Sequence, residues 1–254
     1  MSAYGAIDRT GPTSTGVCLP SSLWPTRNLV IKLSIHQIPD LATIQALQLD
    51  SKGGTLLEHL RSTIASTVED GRVYPQEDAS EFRGEGKAFE TYFFVALDVF
   101  VGVLEDADAL PALGAEIEGT EARLIEAGGV TAPGALLEAA RKGRTWKEAV
   151  PNYPGRSSHI CNGGFVVSPS QQGLSLNTTL GNSYVFYATA LGFKASVFNL
   201  VYANNLASVR IWDRLGFTRA AVIPKVGRLR CEGERGRRGE EEYVDAIVFY
   251  KSFE

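Results

Sequence analysis

Side-chain amides are the polar groups that stand out between Cys161 and Phe217. Asn162 precedes a pair of glycines, and Asn199 interrupts an otherwise apolar run at residues 195–202. An amide inside such a run must find hydrogen-bond partners, and it can also donate to a bound carboxylate or to a developing negative charge. The two asparagines therefore have two interpretations. They orient a reactant, or they satisfy hydrogen bonds of the strands themselves.

The corner at residues 172–178 has the features of an anion site. An apolar strand predicted at 164–167 enters a turn with Pro169 and Gly173, and a helix is predicted from residue 178 to 191. Main-chain N–H groups at the start of a helix lack partners within the helix, and the helix dipole favours negative charge there. We therefore expect a phosphate-bearing ligand at this corner.

A second strand and a second helix complete this stretch. The strand is predicted at 195–202 and the helix at 205–215, where Gly216 ends it. The order strand, helix, strand, helix implies parallel strands joined by a right-handed crossover. Asn205 takes the N-cap position of the second helix, and capping alone is a sufficient reason for an asparagine there.

The rest of the chain divides into predicted strands and helices. Apolar periodicity predicts strands at 28–35, 91–104, 218–223 and 243–249, and helices at 38–49 and 55–68. Residues 1–26 are rich in Ser, Thr, Gly and Pro and are expected to be a flexible tail before one domain at 27–254. Residues 105–145 are interpreted as a helical insertion, and the basic residues 225–238 as a surface loop.

Composition argues against several classes of function. The 254 residues carry a net charge of −4, so a nucleic-acid-binding surface is not expected. Three scattered cysteines and three separated histidines offer neither a disulfide framework nor a metal site. Neither an apolar run long enough to span a bilayer nor a secretory signal is recognised. We expect an intracellular protein, cytoplasmic or nuclear.

Motifs in the second half of the chain carry a family resemblance. The second helix and its end read Asn205-x-x-Ser208-x-x-x-Trp212-x-x-x-Gly216-Phe217. Together with the strand, turn and helix of residues 165–180, this pattern resembles the GNAT superfamily of acetyl-CoA-dependent N-acetyltransferases. The segments NGGF at 162–165, SVFNLV at 196–201 and IWDRLGF at 211–217 look like fungal acetyltransferases that act on proline analogues such as azetidine-2-carboxylate. They also look like a related fungal group that includes a regulator of histone-gene transcription.

The resemblance implies a fold, a co-substrate and an acceptor. The implied fold is α/β, a GNAT-type mixed twisted sheet with splayed central strands flanked by helices. Acetyl-CoA is the implied co-substrate, with its pantetheine arm in the gap between the splayed strands, and a small amine or imino acid is the implied acceptor. Main-chain N–H groups in the gap polarise the thioester carbonyl in this fold. A homodimer is compatible with the resemblance.

The resemblance also implies roles for individual residues. Asn162 and Asn199 are the implied catalytic residues, and Phe165 and Asn199 face the implied acceptor. The loop after the second predicted helix adds Glu69, Asp70 and Tyr74 as candidates to line the acceptor cleft, although a solvated loop is the simpler interpretation. The implied coenzyme-binding residues are Phe165, Val166, Val167, Gln172, Gly173, Leu174, Ser175, Asn177, Asn205 and Trp212.

The sequence departs from the family pattern at three places. Its phosphate loop keeps one glycine, Gly173, and has the neutral Gln172 where a basic residue is usual, which predicts weakened coenzyme binding. Trp212 stands where many of these enzymes use a tyrosine to protonate the leaving thiolate. Residues 146–150 are short and alternate poorly for the strand expected there. The alternatives to a small-molecule acetyltransferase are a non-catalytic GNAT-fold protein that binds partners or regulates transcription, and a protein acetyltransferase.

Overall fold

The computed structural model of the protein describes most of the chain. The described residues are 19–26, 32–38, 41–46, 54–83, 89–90, 99–105, 110, 112–126, 144–148, 150–167, 171, 176–231 and 240–254. Within this part of the chain, no helix is long and apolar enough to cross a membrane.

The described residues form an α/β fold. The strands are β1 Ser22–Pro25, β2 Lys32–Ile38, β3 Val99–Glu105, β4 Leu113–Glu116, β5 Arg123–Ile125, β6 Arg144–Glu148, β7 Val150–Pro151, β8 Ile160–Asn162, β9 Phe165–Val167, β10 Ala195–Tyr202, β11 Thr218–Arg230 and β12 Glu241–Ser252. The α-helices are α1 Leu41–Ala46, α2 Leu56–Asp70, α3 Leu176–Ala190 and α4 Leu206–Arg214. Short 3-10 helices lie at Ala79–Phe82 and Gly155–Ser157.

The strands are arranged in two sheets that separate in the middle of the molecule. One has the order β4-β5-β1-β2-β3-β6-β9, and the other has the order β11-β12-β10-β8-β7. All pairs of the described strands are antiparallel except β8 with β10, which run parallel and lie before and after α3 in the chain. The predicted mixed sheet with splayed central strands is thereby confirmed.

Two apolar clusters lie on opposite faces of the first sheet, as the alternation of side chains along a strand requires. On β3, Phe100 joins the cluster that contains Tyr184 and Tyr187 of α3. The neighbouring residues Val99 and Val101 join the cluster formed by α2 on the other face. The first sheet is therefore covered by a helix on each side.

Helix α2 begins and ends where its sequence requires. Thr55 is the N-cap, and its hydroxyl accepts from the main-chain N–H of Glu58 at 3.2 Å. The Glu58 carboxylate accepts in return from the main-chain N–H of Thr55 at 2.7 Å, which completes a capping box. Gly71 ends the helix with φ of 71°, a left-handed conformation that favours glycine.

The flexible tail predicted for residues 1–26 is wrong for its described end. Ser22–Pro25 is strand β1, paired between β2 and β5. Leu23 and Trp24 are buried, and the Trp24 indole N–H donates to the Ser22 hydroxyl at 2.6 Å. The small and polar residues of this segment suggested a tail, and one of the two strands that pair with it, β5, lies far away in the sequence.

The helical insertion predicted for residues 105–145 is also wrong for its described part. Leu113–Glu116 and Arg123–Ile125 are the antiparallel strands β4 and β5, which extend the first sheet beyond β1. Residues 127–143 lie outside the described residues. Alanine, leucine and glutamate suggested a helix, but pairing with an available sheet edge overrides that weak preference.

Two further segments form regular strands where their residue patterns predicted a poor strand or a loop. Residues 146–148 belong to β6 and Val150 to β7, and Trp146 pairs with Val101 on one side and Val166 on the other. Strand β11 continues through residues 225–230, which were expected to be a loop, because β12 pairs with it as far as Arg230. In both segments, backbone pairing with the neighbouring strands stabilises a strand that the residue pattern alone does not predict.

Candidate functional site

A gap opens between β9 and β10 where the two sheets separate. Strand β8 pairs with β10 only at Ile160 with Ala195 and at Cys161 with Ser196. After Gly163 and Gly164 the chain continues as β9, which pairs with β6 instead. Among the described strands, the facing edges of β9 and of the second half of β10 therefore have no partner. Two open strand edges can hydrogen-bond an extended ligand laid between them.

Asn162 lies at the closed end of this gap. It is the last residue of β8 and is half-buried, and its backbone pairs with Val150 of β7. Its side-chain oxygen accepts from the main-chain N–H of Gly163 at 2.8 Å. This local bond turns the Asn162 amide toward the glycine pair at which the sheets separate.

Asn199 lies on β10 beyond its last pair with β8. The pairing of β10 with β12 shifts between Phe198 and Val201, so Asn199 lies at an irregularity and is exposed. Its amide forms two hydrogen bonds with the amide of Asn152, at 2.6 Å and 3.2 Å. Asn152, only 6% exposed, directly follows β7. Asn152 is a site residue that was not predicted, since the residues around it indicate only a turn and Asn199 is far away in the sequence.

An aromatic cluster lies on the α3 and α4 side of the gap. Phe165 of β9 contacts Tyr184, Phe198 and Trp212, with ring centroids 5.2–6.0 Å apart. Trp212 stacks on Phe198 at 4.1 Å and is buried. Its indole N–H donates to the Ser208 hydroxyl at 3.1 Å. Trp212 is therefore an anchor within the core, and its single polar atom already has an acceptor.

The remaining β9 residues divide between the two faces of the strand. Val166 is buried in the cluster formed by α2, and the partly buried Val167 packs against the cluster formed by α3. With Phe165 they place three consecutive residues on the open edge of β9. Main-chain groups of alternate residues point to opposite edges of a strand, so the open edge leaves available only those that do not pair with β6. The coenzyme-binding role of the three residues stays a prediction.

The predicted phosphate corner is described only in part. Gln172, Gly173, Leu174 and Ser175 lie outside the described residues. On the C-terminal side, Asn177 is exposed in the first turn of α3, which begins at Leu176.

Asn205 acts as the cap of α4. Its side-chain oxygen accepts from the main-chain N–H of Ser208 at 3.1 Å, so the capping interpretation is confirmed. The same Ser208 accepts from Trp212, so the cap and the aromatic cluster are joined through one residue. The coenzyme contact expected of Asn205 stays a prediction.

The three candidates predicted for the loop after the second helix lie at the end of α2 and just beyond it. Glu69 and Asp70 are the last residues of α2, so the predicted loop position is wrong for these two, and Tyr74 lies in the segment that follows Gly71 and contacts β11. The main-chain N–H of Arg230 donates to the Gly71 carbonyl at 3.0 Å. The carboxylates of Glu69 and Asp70 form exposed ion pairs with Arg83 and Arg72. Tyr74 is half-buried and packs against the α2 cluster.

Known proteins share this architecture, although no family model matches the chain. The GCN5-related N-acetyltransferase from Kribbella flavida has a TM-score of 0.53 and 18% identity, over 87% of this chain and 97% of that chain. The chain has the GNAT fold. The structure of yncA from Salmonella typhimurium with its cofactor acetyl-CoA has a TM-score of 0.51 and 14% identity, over 87% and 94% of the two chains.

Two curated fungal proteins are similar in sequence to part of this GNAT-fold chain. N-acetyltransferase aca1 of Schizosaccharomyces pombe is 52% identical over 103 residues, which is 41% of this chain and 46% of that protein. Protein SPT10 of Saccharomyces cerevisiae is 33% identical over 103 residues, 41% of this chain and 15% of that protein. The match spans less than half the length of either relative. The predicted resemblance to fungal N-acetyltransferases is confirmed.

Proposed function

We propose that the chain is an acetyl-CoA-dependent N-acetyltransferase that acts on a small amine or imino acid of the proline-analogue class. The observation that carries this proposal is the gap between β9 and β10, which has Asn162 at its closed end and Asn199 beside its open part. The GNAT fold and the 52% identity with the fission-yeast N-acetyltransferase support it.

The residues along the gap fit an extended thioester substrate. Acetyl-CoA supplies an activated acetyl group, and its pantetheine arm fits between two strand edges that offer main-chain donors and acceptors. Main-chain N–H groups near Phe165, with Asn162, would stabilise the oxyanion that forms when the amine nitrogen attacks the thioester carbonyl. The new C–N bond replaces the C–S bond, and the proton lost by the amine balances the proton gained by the thiolate.

Trp212 does not protonate the leaving thiolate in this proposal. An indole N–H is not an acid at ordinary pH, and this one already donates to Ser208. We assign that step to water at the gap. Asn199 and Phe165 form the acceptor side, where the Asn199 amide would meet a carboxylate and Phe165 an apolar ring.

We further propose that coenzyme binding is weaker than is usual for the fold. The phosphate loop has one glycine, Gly173, and the neutral Gln172 in place of a cation. An intracellular location, cytoplasmic or nuclear, follows from the scattered cysteines. A small-molecule amine is the proposed partner, and assembly as a homodimer stays a prediction.

Calorimetric titration of acetyl-CoA into the purified protein at low salt tests the proposal first. We expect saturable binding in the micromolar range, followed by acetyl transfer to proline analogues such as azetidine-2-carboxylate. A folded sample that binds no acetyl-CoA would contradict the proposal that the chain is an acetyltransferase. It would favour the alternative raised by the single glycine of the loop, a non-catalytic GNAT-fold protein that binds partners or regulates transcription.

A further inference from the structure

The side chains of Asn152 and Asn199 form a reciprocal amide pair. The Asn199 amide N–H donates to the Asn152 oxygen at 2.6 Å, and the Asn152 amide N–H donates to the Asn199 oxygen at 3.2 Å. Each primary amide has two N–H donors and two acceptor positions on its oxygen. The pair therefore leaves Asn199 with one N–H and one acceptor position for another partner.

The two asparagines of the pair differ in their burial and in their main-chain hydrogen bonds. The main-chain N–H of Asn152 donates to the Ile160 carbonyl at 2.8 Å, and only 6% of the residue is exposed. Asn199 lies at the irregularity of β10, is exposed, and has no strand neighbour on the β8 side among the described residues. An exposed asparagine side chain normally samples several rotamers. The only partners described for the Asn199 amide are the two atoms of Asn152.

We infer that Asn152 is a positioning residue, which fixes the Asn199 amide so that its remaining N–H faces the acceptor substrate. The effect on catalysis rests on the proposed function, whereas the fixed orientation of the Asn199 amide does not. Asn152 does not touch the reacting atoms in this arrangement, and it acts through Asn199. The sequence supports no such link, because the two residues are brought together only where β7 and β10 join one sheet.

Nuclear magnetic resonance of the side-chain amides tests the pair directly. In the wild-type protein, the two protons of the Asn199 NH₂ group should exchange slowly with solvent. Leucine is close in size to asparagine and lacks the amide. In Asn152→Leu, the Asn199 NH₂ protons should therefore exchange with solvent as fast as those of an exposed asparagine. Asn204→Ala is the matched control, since it removes an exposed amide whose nearest acceptor, in Glu242, is at 3.5 Å. An unchanged Asn199 signal in Asn152→Leu would overturn the inference.

Kinetics test the consequence for acetyl transfer. We expect Asn152→Leu to raise KM for the amine about tenfold, the effect of losing one or two ordinary hydrogen bonds, with KM for acetyl-CoA unchanged. Asn152→Asp keeps an acceptor for the Asn199 N–H and should recover part of the loss. In a double-mutant cycle, Asn152→Leu should add nothing to Asn199→Ala, because it acts only through that residue. Additive effects would overturn the positioning role.

Failure of this inference and failure of the proposed function are distinguishable. If the wild-type protein acetylates no amine, the proposed function fails, and the amide exchange measurement alone decides whether Asn152 fixes Asn199. If the wild-type protein is active while Asn152→Leu behaves like Asn204→Ala in both measurements, the inference fails and the proposed function stands.

Discussion

At the scale of single residues, close packing beside the second sheet limits what the chain tolerates. Gly227 of β11 faces the ring of Tyr202, which is buried at the end of β10. A Cβ at position 227 would lie 2.5 Å from a ring carbon of Tyr202 and 2.9 Å from a methyl of Val244. Burial also raises the pKa of Tyr202 above its ordinary value. Glycine is therefore needed here because of space rather than because of its dihedral angles.

We predict that Gly227→Ala lowers the free energy of unfolding by about 1–3 kcal/mol, because the added methyl overpacks the contact with Tyr202. Denaturant unfolding followed by circular dichroism measures the change. Gly114→Ala is the matched control in an edge strand, where a Cβ would meet only ordinary contacts of 3.5–3.9 Å. Equal stability of the two variants would contradict this account of the packing.

At the scale of elements, the N-terminus of α3 is where we propose that the pyrophosphate of acetyl-CoA binds. Helix α3 presents its N-terminus at Leu176 and has no acidic residue in its first turn, so the dipole there is available to an anion. The neutral Gln172 contributes no charge to that corner. Coenzyme affinity should therefore respond to a single added cation.

We predict that Gln172→Arg lowers the Kd for acetyl-CoA about five- to tenfold at low salt, because it adds a charge-assisted hydrogen bond to a phosphate oxygen. Calorimetry at increasing salt measures both the gain and its screening. Gln45→Arg makes the same change at an exposed residue of α1, outside the proposed site, and should change the Kd little. If both variants lower the Kd for acetyl-CoA by the same factor, the gain reflects general attraction of an anion and the predicted site is wrong.

At the scale of the whole molecule, a buried histidine makes stability depend on pH. His36 is 1% exposed, and its ring nitrogens lie 2.8 Å from the hydroxyls of Ser21 and Ser34. Ser34 also donates to the Glu105 carboxylate. Burial lowers the pKa of His36 from 6.5 to about 4, because the surroundings disfavour the charged ring. Between these values the unfolded chain binds the proton and the folded chain does not.

The sign of the effect follows from that difference. Stability rises with pH wherever the unfolded state binds more protons, so the His36 contribution is fully present above pH 6.5 and is lost as the pH falls toward 4. The loss amounts to about 3 kcal/mol. We predict that His36→Gln removes this part of the pH dependence, as measured by unfolding at several pH values. His159→Gln, at an exposed histidine, should retain it, and an unchanged pH profile in His36→Gln would contradict the assignment.

Several elements and local contacts could be read from the sequence alone, because they depend on neighbours along the chain. Strand β10 has the predicted bounds, 195–202, and α3 lies within two residues of its predicted start. Asn205 caps α4 as its type and position predict. A strand parallel to β10 was also predicted before α3, but the strand that pairs with β10 is β8 at 160–162, whereas the strand expected at 164–167 is β9 and pairs with β6.

Only the tertiary structure decided which distant segments meet. Strands β1, β4, β5 and β6 exist because sheet edges are available to them, and their own residue patterns suggested a tail, a helix or a poor strand. The amide pair of Asn152 and Asn199 likewise depends on two strands of one sheet and on an irregularity in β10. Local sequence specifies capping, periodicity and turns, whereas strand pairing and side-chain contact across a fold depend on partners that the local sequence does not contain.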